Sequence, residues 1–281
     1  MSLASTVTEA LPWVKAELNY LAPTTERPRT YTYAPPEGVP PTTALPEPHT
    51  VVISDARPIL SELSLDREGF ALVRDKSVVG DFYDEEEVKR LYYPEVERLL
   101  KEATGADRVF IFDNTVRRRV PGAVDRWADG PRQPVPRVHV DHTANSGPQR
   151  VRDLLPDEAE QLLRGRVQII NVWRPIRGPL LDTPLAVCDA SSVKPEQLIP
   201  SDLVYKHRVG ETYSVTFDPR HRWFYVPEME TDEALLLKCY DSETDGRARF
   251  APHTAFSDPT TPAGASPRES IEIRALVFHA A

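Results

Sequence analysis

The stretch YSVTFDPRHRWFYVPEMETDEALLLKCYDS, residues 213–242, decides the fold class. Three runs rich in Val, Tyr, Phe, Trp and Leu (Tyr213–Phe217, Trp223–Val226 and Ala234–Tyr240) follow one another with Asp-Pro and Pro-Glu breaks between them and no helical periodicity. β-Branched and aromatic residues suit a pleated, half-buried surface, and proline and aspartate interrupt it. The same reading extends outward to Arg108–Phe112, Arg137–Asp141, Val167–Trp173, Leu185–Cys188, Leu203–His207, Arg249–Pro252 and Ser270–Phe278. Helical signals come mostly before these strands. Asp84 and Glu87 resemble a capping box, and Glu85 and Glu86 suit a first helical turn. Val88, Leu91, Tyr92, Val96, Leu99 and Leu100 then recur at helical spacing, which predicts a helix from about residue 84 to 103. Pro156 opens a shorter helix over 156–164. Helix first and many short strands after favours a mainly β double sheet over a doubly wound parallel one. The predicted architecture is a double-stranded β-helix (jelly roll) with flanking N-terminal helices; an open α+β sheet is the competing reading.

On one of these strands, PRVHVDHT (residues 136–143) places His139 and Asp141 two apart. Side chains on a strand alternate faces, so the imidazole and the carboxylate point the same way. They are two of the three ligands of a facial triad, the arrangement of two histidines and one carboxylate that leaves Fe(II) three open positions. His142 falls on the opposite parity and is not counted as a ligand. The third candidate is His253 in ARFAPHTAFSDP, several strands later. A chelating 2-oxo acid needs an anchor for its far carboxylate, and the planar fork of arginine supplies two parallel hydrogen bonds. Arg268 and Ser270 in PRESIEIRALVFHA share a strand face; Arg274 lies on the same face and is the alternative anchor. The bland readings are a surface His–Asp pair, a loop role for His253 and surface ion pairs of the arginines with Glu269 or Glu272. Asn171 with Trp173, and Trp223 with Tyr225, are each two apart and suit either a pocket wall or the core. Arg174 is a candidate for an acidic substrate or for a structural role. Arg117, Arg118 and Arg119 read as a solvated turn.

The 281 residues are 40% apolar and 27% charged, enough for one large domain. A net charge of −9 argues against non-specific binding to nucleic acid or anionic membranes. Cys188 and Cys239 have no zinc spacing and read as reduced core thiols. No run reaches the roughly 18 apolar residues of a membrane helix, and no signal-peptide pattern opens the chain, so a cytoplasmic location is expected. Pro12, Pro23, Pro28, Pro35, Pro36, Pro40, Pro41, Pro46 and Pro48 exclude a long helix or a central strand. Residues 1–50 are therefore expected to form a proline-rich arm and residues 51–281 the oxygenase domain. Such an arm could exchange across a homodimer.

Taken together, VHVDHT, QIINVWRPIRGPLLDTPLAVCDA, the 213–242 stretch, RFAPHTAFSDP and PRESIEIRALVFH resemble the gibberellin desaturase-like or cephem methoxylation-like family of natural-product oxygenases. The resemblance covers about residues 50 to 279. It implies a double-stranded β-helix, Fe(II), 2-oxoglutarate as cosubstrate, dioxygen, and a small-molecule substrate. The family's metal ligands fall on His139, Asp141 and His253, and its C-terminal arginines on Arg268 and Arg274. After HVD this chain reads HTANSG, where many relatives have a small or amide-rich run, so an unusual substrate is expected. Two other readings stay open: a cupin-like metal enzyme without 2-oxoglutarate, and a non-catalytic accessory subunit of a partner oxygenase, a role reported for some relatives. No G-x-S-x-G elbow is present, which argues against a serine hydrolase.

Overall fold

The computed structural model describes residues 11–123 and 132–280. Two sheets face each other. The larger runs in the order β1 (Trp13–Leu21), β3 (Pro46–Asp55), β11 (Trp223–Tyr225), β8 (Leu185–Cys188), β13 (His253–Ala255), β6 (His139–Val140), β10 (Val209–Val215), β9 (Leu198–Val204) and β2 (Arg29–Tyr31). The smaller is β4 (Phe70–Arg74), β12 (Glu233–Asp241), β7 (Val167–Pro175), β14 (Glu269–Phe278) and β5 (Arg108–Arg118). Among the described strands, β11 with β3 and β2 with β9 pair in parallel and the other ladders are antiparallel. The larger sheet curls, because Asn19 on β1 bonds to the carbonyl of Pro136 and accepts from the Val138 amide, just before β6. The architecture is the expected jelly roll.

The smaller sheet is buried on both faces, and its sequence shows why. Along β14, Ile271, Ile273, Ala275 and Val277 join Ile170, Val172, Ala234 and Leu236 under the helix α1 (Tyr93–Thr104). The opposite parity faces the larger sheet and is not uniformly apolar. One end packs Trp173, Leu235 and Leu237 against Leu185, Val187 and Phe224. The other packs Val167, Ile169, Leu276 and Phe278 with Val140 and Cys239. Between these plugs lie Asn171, Ser270, Glu272 and Arg274, a polar strip inside an apolar sandwich.

The predicted helix forms as an α-turn (Glu85–Glu87), a π-turn (Val88–Tyr92) and α1 in succession. Asp84 accepts from the amides of Glu86 and Glu87, as the capping signal implies. The widened turn has a cause in Pro94, which donates no hydrogen bond and whose ring would crowd the Arg90 carbonyl. Gly105 ends the helix at φ 69°, the left-handed cap that glycine favours. The second predicted helix shrinks to α3 (Ala159–Leu162), and α2 (Ser146–Leu154) forms where the sequence read as a loop. The Gly147–Pro148 pair hides it, although both residues sit in the first turn, where proline needs no donor. Gly147 is required there because a Cβ would come within 2.6 Å of the Tyr240 ring. Gly147→Ala should therefore destabilise the protein by about 1–3 kcal/mol in urea denaturation. An alanine variant as stable as the parent would contradict this packing.

Four strands, β1 to β4, were not predicted. β1 and β2 are the edges of the larger sheet and contain no proline; Pro12 and Pro28 stand just before them. Pro46 and Pro48 lie in the part of β3 that pairs with β1 alone. The boundary drawn at residue 50 falls inside β3. β13 begins at His253, one residue after the predicted Arg249–Pro252 run ends, because Pro252 cannot donate to a ladder. Both cysteines are free and buried. Among the described residues no helix is long and apolar enough to cross a membrane.

Candidate metal centre

β6 and β13 are neighbours, and His139 and His253 sit directly opposite each other in the ladder. Their ring centroids are 4.5 Å apart. His139 Nδ1 donates to the Arg137 carbonyl at 2.7 Å and His253 Nδ1 donates to the Ala251 carbonyl at 3.1 Å. A carbonyl can only accept, so each ring carries its proton on Nδ1 and turns an Nε2 lone pair inward. Those Nε2 atoms face Asp141 Oδ1 at 3.5 and 3.9 Å. The three ligand atoms lie within 4.8 Å of one another. Three acceptors with no hydrogen between them repel unless a cation sits among them, and two nitrogens with one carboxylate oxygen suit a divalent transition metal. Burial, reinforced by His139, pushes His253 down to about 4, which keeps its imidazole neutral and available at neutral pH.

The other oxygen of Asp141 is held from behind. Oδ2 accepts from Arg274 Nε at 2.8 Å and Asn171 Nδ2 at 3.2 Å, and Cys239 Sγ lies 3.7 Å away. Burial alone would raise this carboxyl, but the Arg274 guanidinium holds it well below the usual carboxylate range. Arg274 also binds Asp113 at 2.8 Å and Glu272 at 2.6 Å. Glu272 in turn accepts from Arg117 at 2.8 Å. Two β-bulges flank this network, with Cys239 the extra residue of β12 and Phe112 that of β5. Bulges re-aim side chains beside functional sites, and here they turn Cys239 toward Asp141.

Glu272 links this network to pH. Burial would raise its carboxyl, yet Arg117 and Arg274 bring it down to about 2 from an ordinary 4.5. A depressed acid stabilises the fold above its unfolded value and loses that contribution as pH falls toward the folded one. Metal-free protein should therefore lose stability as pH drops from 4.5 to 2, and Glu272→Gln should flatten that slope. Equal slopes in acid denaturation of parent and variant would contradict the pairing.

Arg268 lies just before β14, buried, with its guanidinium over the Trp173 ring at 4.8 Å. Its Nε donates to Ser270 Oγ at 3.0 Å and its Nη1 to the Thr183 carbonyl at 3.1 Å. Among the described residues this guanidinium has no carboxylate partner. Burial and the nearby Arg117 charge press it below the usual guanidinium range.

A cavity of about 850 Å³ opens onto His139, Asp141 and Arg274. His142 lines it as well. β6 ends at Val140, so the alternation that would have turned His142 away no longer applies. His142 stays outside the ligand set. Asn171 joins the site through Asp141, whereas Trp223 and Tyr225 pack on the outer face of the larger sheet with Tyr20 and Phe256. Arg174 is fully buried over Tyr92 and donates to the Asp75 carbonyl, a structural role. Arg117 and Arg118 are strand residues and not a turn, and Arg117 is buried against Glu272. The polar parity of Ser270, Glu272 and Arg274 on an otherwise apolar strand was the available signal for this network.

Comparison with known proteins agrees with the geometry. A family model described as an oxidoreductase/YMDC permease-like domain matches residues 18–278. The chain is 38% identical over 248 residues to the hydroxylase/desaturase efuI of Hormonema carpetanum, covering 81% of this chain and 83% of that protein. It is 35% identical over 240 residues to the Fe(II)/2-oxoglutarate-dependent dioxygenase nvfI of Aspergillus novofumigatus, covering 82% and 84%. The solved structure of the iron and alpha-ketoglutarate-dependent endoperoxidase NvfI superposes with a TM-score of 0.87 at 30% identity, over 96% of this chain and 99% of that one. The chain belongs to the oxidoreductase family that these fungal Fe(II)/2-oxoglutarate-dependent dioxygenases and hydroxylase/desaturases represent.

Proposed function

We propose that this protein is an Fe(II)- and 2-oxoglutarate-dependent dioxygenase that hydroxylates, desaturates or otherwise oxidises a small-molecule natural-product intermediate. The carrying observation is the convergence of two Nε2 lone pairs and one carboxylate oxygen beside a cavity that His139 and Asp141 line. His139, Asp141 and His253 would hold Fe(II) through those atoms. With 2-oxoglutarate and dioxygen, the bound metal supplies the oxidising chemistry, in which decarboxylation of the cosubstrate to succinate is coupled to oxidation of a C–H bond.

The chain's own residues supply position. Arg274 and Asn171 fix one oxygen of Asp141 and leave the other for the metal. Arg268, a buried cation without a carboxylate of its own, anchors the far carboxylate of 2-oxoglutarate together with Ser270. Arg274 is fully engaged with Asp141, Asp113 and Glu272, which supports Arg268 over Arg274 as that anchor. Trp173 and the apolar plugs keep water from the inner end. The finer placement among gibberellin desaturase-like or cephem methoxylation-like proteins rests on motif agreement and is part of this proposal. So is the division into an arm, residues 1–50, and an oxygenase domain, residues 51–281.

The test is Fe(II)-dependent release of succinate from 2-oxoglutarate in the presence of oxygen. The proposal expects slow release without substrate, abolished in His139→Ala. An iron-loaded, folded protein that forms no succinate with any substrate offered would favour the accessory-subunit reading.

A further inference from the structure

The cavity wall carries more positive charge than the centre uses. Of its lining carboxylates, Asp141 faces the metal site, Asp113 binds Arg274, Glu211 binds Arg27 and accepts from Thr143, and Asp153 accepts from Gln149. Two lining guanidiniums, Arg150 on α2 and Arg208 in the turn between β9 and β10, have no carboxylate partner among the described residues. Both rest on aromatic rings, Arg150 over Phe112 at 5.5 Å and Arg208 over Tyr205 at 4.0 Å. Stacking fixes the plane of a guanidinium and leaves its N–H edge free. Arg150 Nε is buried without a hydrogen-bond partner. The two charges also feel each other: burial and then Arg208 lower Arg150 from the usual guanidinium range by more than Asp153 and Asp113 raise it. Two like charges held unpaired on one wall leave a place for an anion.

His142 stands on the same wall: its Nδ1 lies 3.3 Å from Ser146 Oγ, which accepts from the Thr143 amide, and its Nε2 has no partner among the described residues. The surrounding wall includes Phe112, Leu154, Leu203, Tyr205 and Val209, so an apolar body fits beside the charged group.

We infer that the substrate is an organic acid with an apolar skeleton, whose carboxylate is held by Arg150 and Arg208 while the metal-facing end of the cavity receives the carbon to be oxidised. This rests on the proposed oxygenase function and names the substrate class of the same site. The planar fork of a guanidinium pairs with a carboxylate through two parallel hydrogen bonds, and among the described residues no lysine lines the cavity.

The probe pair is 4-phenylbutyrate and its neutral amide, 4-phenylbutanamide, titrated calorimetrically into anaerobic protein with saturating Fe(II) and 2-oxoglutarate. The acid is expected to bind at least about tenfold more tightly than the amide, the difference expected of one charge-assisted contact. Arg150→Gln/Arg208→Gln should abolish that preference, with each single variant intermediate, while the visible band of the Fe(II)–2-oxoglutarate chelate is unchanged. Equal binding of acid and amide, no binding of either, or a preference that survives the double substitution would overturn the inference. Absence of the chelate band in the parent would instead be a failure of the oxygenase reading itself.

Discussion

Arg274→Met is expected to destabilise the metal-free protein by about 3–5 kcal/mol, the usual consequence of removing one partner from a buried ionic network. The guanidinium is shared by Asp141, Glu272 and Asp113, and its side chain is 13% exposed. Methionine fills most of the volume but leaves two carboxylates in the sandwich without that counter-charge. Fe(II) affinity should fall by about 10–100-fold as well, because Asp141 loses the group that fixes its second oxygen. Urea denaturation and metal titration read the two effects separately. A variant with parental stability would show that the network is not needed for folding.

Arg268→Met should have the opposite signature. Its guanidinium touches Ser270, the Thr183 carbonyl and the Trp173 ring, and no metal ligand. Removing a charged, two-bond anchor should raise the dissociation constant for 2-oxoglutarate by about 100-fold or more and leave Fe(II) binding at the parental value. Burial without a paired carboxylate makes this arginine costly to the empty protein, so Arg268→Met should be no less stable than the parent. If Arg274→Met, and not Arg268→Met, selectively weakened 2-oxoglutarate, the anchor would have to be reassigned.

Strand periodicity carried much of this in the sequence. Ser270 and Arg274 were legible because a period of two holds along β14, and the same rule singled out His139 with Asp141 and Arg268 with Ser270, although Asp141 lies one residue past β6 and Arg268 one residue before β14. What the rule could not supply was partners from other strands. Arg117 resembles one of three solvated arginines until β5 is laid beside β14, where it meets Glu272. Arg274 was placed on the correct face, but its hold on Asp141 depends on where the chain turns after β6. His142 was misjudged at that same turn, since parity ends with the strand. In the first 50 residues the prolines outweighed the alternating burial that β1 and β3 show, because Pro12 stands just before β1 and Pro46 and Pro48 lie where β3 pairs with β1 alone. In α2 the Gly147–Pro148 pair imitated a loop, and the need for glycine against Tyr240 is visible only in three dimensions.

The central claim is that His139, Asp141 and His253 hold Fe(II) to which 2-oxoglutarate binds. Its most direct test is visible absorption of the oxygen-free protein after addition of Fe(II) and 2-oxoglutarate. The account predicts the weak metal-to-ligand charge-transfer band of the chelate in the parent, no band in His139→Ala, and a weakened band in Arg268→Met. A folded, iron-loaded parent without the band would contradict it.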